Sequence, residues 1–149
     1  MIIRPCTLDE IEHSPRLAEV LEAYGRESSI AELGPSSPDM ATYRQMAASG
    51  IWHAIGAFAP ELVGIATVLV FGLPHYAGRR VASMESIFVL PAFRGGGAGL
   101  KLLRAAEQCA REQGASALMV STPAGSRLES VMARSSYRAT NRVFTMGLL

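Results

Sequence analysis

"FVLPAFRGGGAGLKLL", Phe88 to Leu103, sets an apolar β-type run, a proline, an arginine and four glycines directly before a helical pattern. Glycine inside regular structure costs roughly 0.5–1 kcal/mol relative to alanine. Four of them at one strand–helix junction therefore predict a backbone that something approaches closely. The first amides of a helix have no intrahelical partners, and the same end carries the positive pole of the macrodipole. Gly95, Gly96, Gly97 and Gly99 leave those amides open to an anion. Arg94 adds a forked donor suited to phosphate oxygens. The expected ligand is a phosphate or pyrophosphate.

Two nucleotide-binding patterns are excluded by spacing. A dinucleotide fingerprint needs a glycine five residues after its first, but Leu100 follows Gly95 at that distance and Leu102 follows Gly97. A P-loop needs Gly-Lys-Ser/Thr, whereas Lys101 lies between Leu100 and Leu102. Downstream of the glycines, Leu102, Leu103, Ala106, Cys109 and Ala110 share one face of a helix from about Gly97 to Gln113, with Gly114 closing it. Glu107 and Arg111 are spaced to pair on its exposed side. "ASALMVS" then reads as a strand, so strand, loop, helix and strand form a crossover with a parallel pairing.

Upstream, "IIRP" is a short first strand, and Thr7 with Glu10 makes a capping-box pattern. Pro15 interrupts the helix that follows, and "RLAEVLEAYGRESS" resumes it. The loop "LGPSSPD" predicts a helix start with Ser37 as cap and Pro38 at the first position, ended by Gly50. Then the period changes. "IWHAIGAF" and "ELVGIATVLVFG" form a hairpin over "APE", and "VASMESIFVL" is a third strand. "SRLESVMARS" is a short helix, and "YRATNRVFTMGL" a last extended stretch. The fold class is mixed α/β (α+β), antiparallel at first, with a parallel pair at the crossover.

At 149 residues the chain fits a single domain, 1–149, and 49% apolar residues give it a core. A net charge of +1 with no basic block predicts no nucleic-acid partner. No apolar run approaches ~20 residues and the start, "MIIRPCTLDE", lacks a leader pattern, so no membrane partner and a cytoplasmic setting are expected. Cys6 and Cys109 are too far apart in sequence to suggest a disulfide framework or metal-ligand spacing, and Cys109 reads as a small core residue.

Arg-x-x-Gly-x-Gly, Arg94 to Gly99, after a strand ending "IFVLP" resembles the GNAT superfamily of acetyl-CoA-dependent N-acyltransferases. The element order agrees over the whole chain, and the specific part runs from about Val81 to Tyr137. The resemblance implies a mostly antiparallel sheet of six to seven strands flanked by helices, with a central splayed parallel pair. It implies acetyl-CoA as cofactor, its pyrophosphate on the amides of Arg94, Gly95, Gly96, Gly97, Ala98 and Gly99. Phe88, Val89 and Leu90 would lend backbone groups to the pantetheine arm, and the Val89 amide would donate to the thioester carbonyl.

Amide formation from a thioester needs a neutral amine, hence a base, and a polarised carbonyl. Glu85 is the only acid in "VASMESIFVL", and many members of the superfamily carry a Glu at a similar place. It is the expected catalytic base. The resemblance also sets Met132 where a general-acid tyrosine usually stands and Gly125 where an asparagine does. Water, Ser121, Thr122 or a loop tyrosine such as Tyr76 are then the candidates to protonate the thiolate, or the thiolate leaves unaided. His75 and Tyr76 are candidates for an acceptor pocket, while His53, Tyr24, Tyr43, Met40 and Met46 read as packing residues. The acceptor itself, a small-molecule or protein amine, depends on loops around residues 24–45 and 72–79. A non-catalytic acyl-CoA-binding module is the alternative. The apolar end, "VFTMGLL", makes a homodimer an expectation.

Overall fold

The structure is a computed structural model that describes all residues, 1–149. Strand β1, Ile2–Cys6, leads into helix α1, Leu8–Glu12, through the capping box read from the sequence. The Thr7 side chain accepts the Glu10 amide, and the Glu10 carboxylate accepts the Thr7 amide at 2.9 Å. The chain breaks around Pro15 and resumes as α2, Leu17–Ser28. Helix α3, Met40–Ala48, starts later than expected: Asp39 caps it, with Oδ1 accepting the Thr42 amide at 3.1 Å, and Pro38 lies outside. A carboxylate both caps and carries charge at the positive helix end, an advantage that Ser37 lacks.

Strands β2, Trp52–Phe58, and β3, Leu62–Gly72, form the expected hairpin, followed by β4, Arg80–Val89. Helix α4, Ala98–Glu112, β5, Leu118–Val120, and α5, Arg127–Ala133, complete the regular structure. The sheet order is β1-β2-β3-β4-β5, antiparallel except for the parallel β4–β5 pair. No helix is long and apolar enough to cross a membrane.

Alternation along β3 separates two faces. Ala66, Val68 and Val70 join Leu102, Leu103, Ala106 and Ala110 of α4 in the main core. Thr67 and Leu69 point the other way, where Leu8, Ile11, Trp52 and Ala54 form a second cluster with Met40 and Tyr43. The candidate side chains Tyr43, Thr67 and Glu85 meet on this second face.

Three expectations are corrected. The sheet has five strands, not six to seven, because residues 137–149 form no strand. Val143, Phe144, Met146 and Leu148 are exposed instead. The parallel pair consequently lies at the sheet edge, not at its centre. An alternating or apolar pattern favours extended backbone, but a strand also needs a neighbour's N–H and C=O groups. Glu107, expected to pair with Arg111, instead accepts the Tyr137 hydroxyl at 2.9 Å and ties the chain after α5 to α4.

Candidate active site

β4 pairs with β5 only from Ala82 to Met84. From Glu85 to Val89 it has β3 on one side and no strand on the other. The Leu90 amide donates to the Val63 carbonyl at 2.8 Å. In an antiparallel ladder the backbone groups of the adjacent residue face the opposite way, so those of Val89 face the unpaired side. The Val89 carbonyl there accepts Arg94 Nε at 2.8 Å. The side chains of Phe88, Val89 and Leu90 are buried in the core, so the backbone is what this stretch presents.

Glu85 sits at a β-bulge. Thr67 pairs with Ser86 and Val68 with Met84, which leaves Glu85 as the extra residue on β4. Strict alternation would send Glu85 and Ser86 to opposite faces. The bulge brings both to Thr67. Thr67 Oγ1 donates to Glu85 Oε2 at 2.5 Å and lies 2.7 Å from Ser86 Oγ. With the Thr67 proton committed to Glu85, Ser86 is the donor of the second bond. Tyr43 donates its hydroxyl to Glu85 Oε1 at 2.6 Å. The carboxylate is exposed, yet both oxygens are oriented.

Glu85 opens into a cleft of about 740 Å³ between the helices before β2 and the second face of the sheet. Tyr24 and Tyr43 line it; Tyr24 packs edge-on to Phe88 at 5.9 Å and Tyr43 against Trp52 at 5.5 Å. Both therefore pack, as expected, and also face the cleft. Burial, and then the hydrogen bond from Tyr43 to Glu85, push the Tyr43 phenol well above its ordinary range. Burial and the Glu85 charge raise that of Tyr24. Both stay protonated at neutral pH.

The glycine loop begins beyond the unpaired end of β4. Gly95–Gly97 form a short 3-10 turn before α4, and Gly96 and Gly97 have φ of 67° and 75°. Those angles suit glycine. A Cβ placed at Gly95, Gly96, Gly97 or Gly99 would meet no atom within 4 Å, so the backbone is open to a ligand on that side. A recess of about 310 Å³ borders Gly95, Gly96, Ala98 and Lys101.

Arg94 also has partners within the chain. Its guanidinium lies over Phe88 and donates to Val89 and, at 2.6 Å, to Glu27 of α2. It joins the ends of β4 and α2, while Lys101 is the cation beside the recess. Lys101 does not fit a P-loop, but its place in the first turn of α4, four residues after Gly97, is a sequence signal for a cation beside the loop.

Other expectations divide. His75 and Tyr76 are exposed and are not part of the cleft wall; neither are Ser121 and Thr122. His53 bonds the Gly50 carbonyl through Nε2 at 3.0 Å. Met132 packs against the main core, and Gly125 turns the chain with φ of 75°. Burial pushes the Cys6 thiol up to about 12 and raises that of Cys109, which suits neither to nucleophilic work at neutral pH.

Solved structures share this architecture along nearly the whole chain. An acetyltransferase from Trypanosoma brucei matches with a TM-score of 0.74 at 18% identity, covering 99% of this chain and 99% of that one. A ribosomal-protein-alanine N-acetyltransferase from Brucella melitensis biovar Abortus gives 0.69 at 19%, covering 98% and 100%. An aminoglycoside acetyltransferase from an uncultured soil metagenomic sample gives 0.73 at 17%, covering 99% and 98%. No curated protein matches by sequence. At these identities the structures establish the fold alone. The model for the acetyltransferase (GNAT) family matches residues 17–131, from the start of α2 into α5, a span that includes the β4 bulge and the glycine loop, and the chain belongs to that family.

Proposed function

We propose that this chain transfers an acetyl group from acetyl-CoA to a primary amine held in the cleft. The observation that carries the reading is Glu85, an oriented, exposed carboxylate between the cleft and the unpaired end of β4. The loop fits the cofactor on one structural point: side chains are missing where backbone would meet pyrophosphate, and the space there is open.

Acetyl-CoA, when bound, supplies a thioester carbonyl to which the amine nitrogen adds while the carbon–sulfur bond breaks. The amides of Gly95 to Gly99 and Lys101 would hold its phosphates. The Val89 amide, on the side of β4 without a neighbour, would polarise the carbonyl. Glu85 would take one proton from the ammonium, directly or through water, so that the nitrogen can attack. The second amine proton balances the departing thiolate. Tyr43 and Thr67 hold the Glu85 carboxylate in one orientation for this task.

The test is thiol release from acetyl-CoA across a panel of primary amines, with product mass checked for one added acetyl group. Amine-dependent thiol release is expected. Tight coenzyme A binding with no release above hydrolysis for any amine would favour the non-catalytic module, a reading supported by Met132, which has no proton to donate.

Met132 itself separates packing from chemistry. Met132→Leu conserves volume and contacts, so a loss below about 1.5 kcal/mol and unchanged turnover are expected. Met132→Tyr introduces a hydroxyl against the main core, so a lower melting temperature with no gain in rate is expected. A faster Met132→Tyr variant would place this side chain at the leaving thiolate instead.

A further inference from the structure

The acceptor's chemistry is written in the charges of the cleft wall. Asp39 and Glu85 are the two acidic side chains that line it, with no lysine, arginine or histidine beside them. Asp39 caps α3: Oδ1 accepts the Thr42 amide at 3.1 Å and Oδ2 the Thr42 hydroxyl at 2.6 Å. The Ala41 amide is a third donor to it, and the positive end of the helix offsets its charge, whereas Glu85 has two donors and no helix end beside it. Glu85 is left as the anion facing the cleft. Each of its oxygens has one donor, which leaves further lone pairs for an ammonium.

The arginines on the surrounding helices are engaged elsewhere. Arg16 pairs with Glu19, Arg26 with Glu22, and Arg44 with Asp9 and Glu12. An acceptor bearing a carboxylate or phosphate would meet no cation in the wall and would be repelled by Glu85. An acceptor with several ammonium groups would meet one available anion. Over half of the wall is apolar, with Leu17, Leu21, Met40, Met46, Ile65 and Leu69 among its residues.

We infer that the acceptor is a small monocationic primary amine with an apolar aliphatic or aromatic body, carrying neither a carboxylate nor a second cationic group. This rests on the acyltransfer reading and narrows its acceptor. Glu85 selects the ammonium; the apolar wall selects what is attached to it. The preference is a difference between partners, enforced by unpaired charge against the wrong ones.

Two measurements separate this inference from the reading beneath it. The first is kcat/KM with acetyl-CoA for matched amines: hexylamine against 1,6-diaminohexane, 2-phenylethylamine against phenylalanine, and a short peptide with a free N-terminus. Hexylamine and 2-phenylethylamine are expected to exceed their charged counterparts and the peptide by about tenfold or more, the scale of one charged hydrogen-bonded group gained or opposed. The second is amine binding without acetyl-CoA, read from fluorescence of Trp52, the single tryptophan, which lines the cleft.

The same ranking is expected in the fluorescence titration, with affinity for hexylamine falling about tenfold in Glu85→Gln. Turnover that favours the diamine, the amino acid or the peptide overturns the acceptor class while acyltransfer stands. The expected binding order without turnover of any amine overturns acyltransfer while the acceptor class stands. Binding indifferent to charge, or unchanged in Glu85→Gln, overturns the inference.

Discussion

Gly97→Asp is expected to abolish coenzyme A binding while the chain stays folded. Gly97 has φ of 75°, and a Cβ there meets nothing within 4 Å. An aspartate in the left-handed region costs roughly 1–2 kcal/mol, which lowers the melting temperature modestly. Its carboxylate would occupy the open side of the loop, where a pyrophosphate would lie. Two unit charges roughly 4 Å apart repel by about 4 kcal/mol at an effective dielectric near 20, equivalent to about three orders of magnitude in Kd. Gly97→Asn carries the same backbone strain and similar bulk without the charge, so it should bind more weakly than the parent and far more tightly than Gly97→Asp. Calorimetric titration of the three proteins with acetyl-CoA, beside thermal melts, gives the result. Unchanged affinity in Gly97→Asp removes the phosphate site from this loop.

The glycine loop was legible because its signal is local: four glycines, a helix start and an arginine lie within six residues. Local also were the capping box at Thr7 and the hairpin over residues 59–61. The wider sheet was harder to read. The apolar end of the chain has strand-forming residues, but pairing depends on an edge elsewhere, and the sequence carries no mark of which edge accepts it.

Glu85 was found as the sole acid of its strand, but the bulge that aims it was invisible. A bulge is a mismatch between two strands, here β3 and β4, and neither sequence contains it alone. Tyr43 and Thr67 were missed as its partners for the same reason: they lie 42 and 18 residues away in sequence and meet it through the fold. Arg94 has partners that its sequence neighbours do not announce. Its sequence neighbours suggest a phosphate, and the structure adds that Glu27, 67 residues earlier, and the Val89 carbonyl accept two of its five N–H donors.

Glu85→Gln is expected to lower turnover by about 10²–10⁴-fold near pH 7, the usual worth of a positioned base, with acetyl-CoA affinity unchanged. The substitution keeps the shape of the side chain and removes its basicity. It also disturbs the local bonds: Tyr43 and Thr67 donate to different oxygens of Glu85, and an amide offers one oxygen and one NH2. One of the two donors must turn to water, which is available at an exposed residue, so the fold should hold. The pH profile distinguishes a base from a structural carboxylate. Alkyl amines titrate near 10.4, as lysine does, so well below that value the free-base fraction grows about tenfold per pH unit. As the pH rises, solution supplies more of the neutral amine that Glu85 would otherwise generate, and the gap between parent and variant should narrow. Rates are to be measured from pH 6.5 to 9.5 with an amine that the parent acetylates. A deficit that stays constant over that range would mean that Glu85 orients the acceptor without taking its proton, and parental rates throughout would remove it from the reaction.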